Sequence, residues 1–210
     1  MRDAFYNIST YQLEDSETKN MEAILPDSAR SLRNLYFVRT VFQAVWAASV
    51  FTTAIKQPKV AAILFFLYPL WDVACTVYDL NTSSRSGSAR SSQIINALLG
   101  VGAAIGIGLT VFHQPVYSVA VFGVWAFGAG LLQHILGLIR RRLLRGGQWA
   151  MILSGAQSMI AGVAYFLGGL FDKLHIKDVG GYAMFGAIYF LIGGILLTRK
   201  LSKPSTIDAN

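Results

Sequence analysis

The sequence predicts an all-α, polytopic membrane protein: six transmembrane helices in a bundle of helical hairpins, with both termini cytoplasmic. Three observations carry this expectation. Of 210 residues, 54% are hydrophobic and only 14% charged, whereas a water-solvated domain carries about 25% charged residues; the mean hydropathy is +0.48. Six apolar runs reach the roughly 17–25 residues needed to span hydrocarbon, and short punctuated stretches separate them. Lys and Arg gather in alternate loops.

The chain divides into an acidic tail over 1–31, a transmembrane domain over 32–201 and a short tail over 202–210. Before Ser31 stand six acids against three bases. This stretch lacks the apolar core of a signal peptide, so no cleavage is expected. It reads as a loosely ordered tail folding back on the basic loops, with Pro26-Asp27-Ser28 as the cap of the first helix. The first span, 34–55, is interrupted by Arg39 and ends at Lys56-Gln57-Pro58. The second, 60–78, carries Asp72 and gives way to a Ser-rich stretch. Spans 93–112, 115–139, 148–171 and 181–198 contain no Asp, Glu, Lys or Arg. Connections this short make consecutive helices antiparallel neighbours.

Orientation follows from the bases. Thirteen Lys and Arg lie on the side of the N-terminus, among them Arg85, Arg90 and the run Arg140-Arg141-Arg142; only Lys56, Lys59, Lys173 and Lys177 lie on the other. The excess marks the cytoplasmic side. A weak internal repeat is also present: Ser92-Gln93 followed by Gly100 recurs as Gly147-Gln148 followed by Gly155, at an offset of 55. A repeat two helices long returns with unchanged topology, so the repeats are expected to be parallel.

In lipid, helices associate through close backbone approach and polar contacts. Gly102 with Gly106, Ala104 with Gly108, Ala126 with Gly130, and Ser158 with Gly162 are small residues four apart, and Gly155 is the repeat counterpart of Gly100. The expected packing glycines are Gly102, Gly106, Gly130, Gly155 and Gly162, serving first within the chain and secondarily between copies. Trp149 fits an interfacial position. Trp71 and Trp125 lie deeper and read as space fillers.

Charge inside hydrocarbon costs about 2.5–3.5 kcal/mol on insertion scales and so points to function. Arg39 and Asp72 fall at matched depth on antiparallel neighbours, which predicts an ion pair. With Asp79, Asn96, His134 and Gln157 they form a candidate polar cluster, joined at similar depth by Gln43 and Gln133. Tyr68, Asp72, Cys75 and Asp79 share one helical face. Pro69 frees the carbonyl of Phe65, which reads either as a packed kink or as part of a cation site. The alternative for the whole cluster is a set of interhelical hydrogen bonds worth about 0.6 kcal/mol each.

Other classes fit poorly. The bases flank apolar runs instead of forming a basic face, so no nucleic-acid partner is expected. Phosphate-loop, nucleophile-elbow and zinc-protease patterns are missing from the sequence, and no enzymatic activity is expected. Cys75 is the lone cysteine. His134 has no intramembrane partner histidine, so no metal or other cofactor is expected.

The stretch Val121-Phe122-Gly123-Val124-Trp125-Ala126, continuing through Gly130-Leu131-Leu132-Gln133 to the Arg140 run, and then Gly147-Gln148-Trp149 with Ile152-Leu153-Ser154-Gly155 and Gly162, resembles the short membrane repeat of HdeD-like acid-resistance proteins. The likeness covers about residues 115–170 and is fainter over 58–112. The acidic tail and Tyr68-Pro69-Leu70-Trp71-Asp72 stand apart from it. The resemblance implies a six-helix bacterial inner-membrane protein, non-enzymatic, acting in envelope or acid-stress physiology. Two alternatives rest on the residues alone: a small proton-coupled transporter or channel using Asp72, Arg39 and His134, and an assembly subunit that binds another membrane protein.

Overall fold

The computed structural model describes residues 29–82, 88–144 and 149–202. These form α1 (Ala29–Thr53), α2 (Pro58–Thr82), α3 (Ser88–Thr110), α4 (Pro115–Leu144), α5 (Trp149–Leu170) and α6 (Ile176–Leu201). All six are long and apolar enough to cross a bilayer, and the protein is an all-α, polytopic membrane bundle. The acidic tail and the expected cap at 26–28 lie outside the described residues.

Local chemistry sets the helix ends. Pro58 and Pro115 each take the first position of a helix, where the missing N–H has no intrahelical partner to lose. At the end of α5, Asp172 adopts a left-handed φ of 53°. The Lys173 N–H then donates to the Gly168 carbonyl at 2.7 Å and the Asp172 N–H to that of Gly169 at 3.3 Å, the paired bonds of a Schellman turn. α6 opens with the His175 N–H donating to the Asp178 carboxylate at 2.9 Å. Several helices overrun the apolar windows read from the sequence: α2 reaches Thr82 instead of 78, and α6 begins at Ile176 instead of 181, whereas α5 stays within its window. Apolar runs mark the hydrocarbon only, whereas a helix satisfies its own backbone and continues into the headgroup zone.

Consecutive helices pack together, and α4 with α5 forms the closest pair. α6 returns to α1, where Gln43 lies against Gly186, Phe51 against Gly180 and Tyr36 against Gly193. The order around the bundle is thus the order in the chain.

Glycines seven apart build the α4–α5 contact. Gly123, Gly130 and Gly137 on α4 face the α5 backbone, and Gly155, Gly162 and Gly169 face that of α4. A methyl group added to Gly155 would come 2.7 Å from the His134 nitrogen, and one on Gly162 2.7 Å from the Gly123 carbonyl oxygen. Backbones this close gain dispersion contacts that lipid cannot supply. Gly106 packs on Val121, but Gly102 is exposed and a methyl there would meet nothing within 4 Å. The expected packing role of Gly102 therefore fails within this chain, because its helical face turns outward.

Large apolar side chains such as Val41, Leu109, Ile160 and Phe185 remain exposed around the bundle. Water would not tolerate such a surface on a monomer; hydrocarbon solvates it. The interior core is aromatic, with Trp46, Phe65, Tyr68, Phe122, Trp125 and Tyr165 buried together.

Candidate functional site

The polar side chains collect in one half of the bundle, near the end where α1, α3 and α5 begin and α2, α4 and α6 finish. Arg39, ten residues into α1, points its Nη1 at Asp72 Oδ1, 2.7 Å away on α2. The other carboxylate oxygen, Oδ2, accepts from Asn96 Nδ2 on α3 at 2.9 Å, and the same amide lies 3.1 Å from Thr76 Oγ1. The guanidinium also stands 5.2 Å from the Phe190 ring centroid on α6, a cation–π distance. The side chains of Arg39 and Asp72 keep 14% and 18% of their exposure. Both side chains line cavities inside the bundle.

Two cavities meet at this pair. An outer vestibule of about 60 Å³ is lined by Leu32, Asp79, Gln93, Asn96, Leu136 and Met151 among others. An inner chamber of about 40 Å³ is lined by Gln43, Trp71, Trp125, Ser154, Gln157 and Tyr182 among others. Arg39, Asp72, Gln133 and Phe190 line both. The ion pair therefore borders both cavities. Within the vestibule, Gln93 donates a short hydrogen bond to Asp79.

Beyond the chamber lies the aromatic core. Tyr68 meets Trp125 edge-on at 5.9 Å, and Phe122 packs on Trp125, Tyr165 and Tyr182, each at 5.4 Å. Tyr182 shares a hydrogen bond with Ser158 at 2.9 Å, and Tyr165 donates to the Asp178 carbonyl at 2.8 Å. Past this layer, at the opposite end, a depression of about 500 Å³ includes Lys59, Phe112, His175 and Lys177. His175 there lies 3.2 Å from Asp172.

The expected cluster is thus divided. Arg39, Asp72 and Asn96 come together, Asp79 lines the vestibule and Gln157 the chamber. His134 does not join them: its Nδ1 lies 3.0 Å from the Ile152 carbonyl in the α4–α5 contact, because its azimuth on α4 differs from that of Gln133. Cys75 is buried, but lines a lateral groove with Val38, Ala74 and Tyr78. α2 continues through Pro69, and the Trp46 indole donates to the Leu64 carbonyl, beside the one proline frees, at 2.7 Å. Among the described residues, no group of three or more His, Cys, Asp or Glu side chains is placed to hold a metal.

Trp71 and Trp125, read as fillers, are packed among the helices and also bury a polar atom each. Trp71 stacks on Phe42 at 4.1 Å, yet its indole Nε1 and that of Trp125 are buried without a protein acceptor. Gln43 Oε1 and Gln157 Oε1 are likewise buried without a donor. All four residues line the inner chamber. Depth in the sequence names both glutamines; the direction of an indole N–H has no sequence signal.

No family model, curated protein or solved structure matches this chain.

Proposed function

We propose that the protein moves a small polar solute across a membrane, and that the conformation described is open at the end bearing the basic loops. The observation that carries this reading is the Arg39–Asp72 pair, a buried ion pair that borders two cavities inside the bundle. A pair that served packing alone would need neither a vestibule outside it nor unpartnered polar groups beyond it. By the positive-inside asymmetry the open end is cytoplasmic, as are both termini. The aromatic layer is the barrier on the far side. Alternating exposure requires that layer to part while the vestibule closes.

The working parts are a salt bridge that opens and reforms, a chamber and two barriers. No step needs covalent chemistry, and the protein is read as non-enzymatic. Reconstitution in liposomes with a panel of small neutral and ionic solutes is the test. Saturable flux is expected, and Asp72→Asn should lower it by at least about tenfold, or about 1.4 kcal/mol on the barrier. Absence of flux for every solute, with and without a proton gradient, would rule out transport.

Two further readings have supports of their own. The α4–α5 unit over 115–170 is the stretch that resembles HdeD-like proteins. It favours a bacterial inner-membrane protein of envelope or acid-stress physiology, which predicts poorer survival of acid challenge on deletion. The outward face of α3 at Leu98 and Gly102, with Val121 and Val124 of α4, forms a groove of about 460 Å³ suited to a second copy or a partner membrane protein. A stable lone monomer in mild detergent would count against that use.

A further inference from the structure

We propose that the depression at the end away from the basic loops is a binding site for an amphipathic anion, a single carboxylate or phosphate head on an apolar body. The inference does not depend on the transport reading. The depression holds about 500 Å³, within the roughly 300–1,000 Å³ usual for small-molecule sites. It is bounded by the turn from α1 to α2, the turn from α3 to α4 and the first residues of α6. Five helices thus contribute to its wall, and no single loop makes it.

The lining selects the ligand. Lys59, His175 and Lys177 supply the polar side chains, and every other residue around the depression is apolar, Ala61, Phe112 and Val116 among them. Both lysines are exposed, and neither forms an ion pair among the described residues. The two acids nearby are directed elsewhere. Asp172 lies 3.2 Å from His175 Nε2, and the Asp178 carboxylate accepts from the His175 N–H at 2.9 Å. Neither acid lines the depression. α2, α4 and α6 all begin at this rim, and the positive ends of their dipoles add to the field of the lysines.

A cation would meet two ammonium groups with no carboxylate in the wall to offset them. A small inorganic anion would satisfy the lysines and leave the apolar wall wet. A carboxylate or phosphate joined to an aryl group or a short hydrocarbon chain satisfies both. A lysine ammonium is a point charge on a flexible four-carbon stem, so Lys59 and Lys177 can swing onto an anion seated between them. Two sources offer this chemistry: a soluble organic acid, and an anionic lipid of the surrounding leaflet.

The test uses the full-length protein in phosphatidylcholine nanodiscs, with empty discs as the blank. The probe is para-trifluoromethyl benzoate, read by fluorine NMR. Saturable binding is expected with a dissociation constant of about 0.05–1 mM, the range of a modestly efficient ligand of this size. The cationic analogue, para-trifluoromethyl benzylamine, should not bind. Hexanoate should displace the probe at least about tenfold more effectively than acetate, because its added methylenes are buried on the wall; inorganic phosphate should do no better than acetate. Lys59→Gln and Lys177→Gln should each weaken the probe at least about threefold, and together at least about tenfold. Lys173→Gln, exposed near the same rim but outside the lining, should leave binding unchanged. Phe112→Ser, at a position 55% exposed, should weaken the probe at least about threefold through loss of the apolar wall.

No saturable binding, binding of the amine as tight as that of the acid, or equal losses in Lys173→Gln and the double lysine variant would overturn the proposal. With the probe bound as expected, native mass spectrometry after release from discs containing one third phosphatidylglycerol, taken as an order-of-magnitude choice of about 30% anionic lipid, separates the sources. A lipid retained by the wild type and lost from the double variant makes membrane lipid the occupant. Equal retention by both makes it a soluble acid.

Discussion

Asp72 divides its carboxylate between a charged donor, Arg39, and a neutral one, Asn96. Each charge therefore has a partner within hydrogen-bonding distance, which offsets the cost of withdrawing it from water. Removing Arg39 leaves the carboxylate with an amide and the vestibule. Arg39→Ala should destabilise the protein by about 1–3 kcal/mol, less than the 3–5 kcal/mol for a sealed pair because solvent reaches this one. Arg39→Ala combined with Asp72→Ala should cost at least about 1 kcal/mol less than the two changes added together. Denaturation of the four proteins in one detergent measures the cycle, and strict additivity would remove the pair as an energetic unit. This contact was legible in the sequence because two opposite charges at equal depth on adjacent helices have few other places to go. His134 shows where that reasoning stops: depth fixes a residue's height and not its azimuth, and the imidazole turns to the Ile152 carbonyl instead. Trp71 and Trp125 were equally opaque, because the aim of an indole depends on side-chain rotamers and on neighbours from four helices.

The α4–α5 contact is organised by glycines at seven-residue intervals on both helices. A seven-residue step returns nearly to the same face of a helix, so each triplet forms a smooth strip for the opposing backbone. Gly155→Ala and Gly162→Ala should each destabilise by about 1–3 kcal/mol, the ordinary cost of overpacking. Gly102→Ala, on the outward face of α3, should be neutral or stabilising by up to about 1 kcal/mol through helix propensity. Thermal unfolding in detergent separates the two groups, and equal effects at all three sites would contradict the seam. Asp172→Gly should stabilise the α5 end by about 0.5–1 kcal/mol, since glycine accepts the left-handed φ that aspartate holds at a cost and the exposed contact with His175 contributes little; a fall in the unfolding midpoint would show that the contact matters more. The six spans were evident in the sequence because apolar runs broken by proline and charge leave little choice. Their ends were not, since hydrophobicity is silent about a helix once it enters the headgroups. The seam was half legible: Gly130 and Gly162 were picked as members of four-residue pairs and Gly155 through the internal repeat, whereas the geometry uses the seven-residue spacing.

Across the whole bundle, polarity is graded in two directions. Apolar side chains face outward to lipid, and the interior changes along its axis from the polar end at Asp79 and Gln93 to the aromatic core around Phe122. Fold class and crossing number follow from composition, because only helices or closed barrels satisfy the backbone in hydrocarbon. The chamber does not follow from composition, since it is formed by what five helices leave unfilled between them. Its reach from one end is the claim on which the functional reading depends. Ser154, buried on α5 at the chamber wall, reports that reach when replaced by cysteine in a Cys75→Ala background, which has no other thiol. Sealed vesicles of known orientation are exposed to silver ion on one side, and the thiols left unreacted are counted after unfolding. Ser154→Cys should react when silver is applied to the face bearing the basic loops and stay protected when it is applied to the other. A thiol that is inert from both faces, or equally reactive from both, would contradict a chamber open at one end and closed by the aromatic layer.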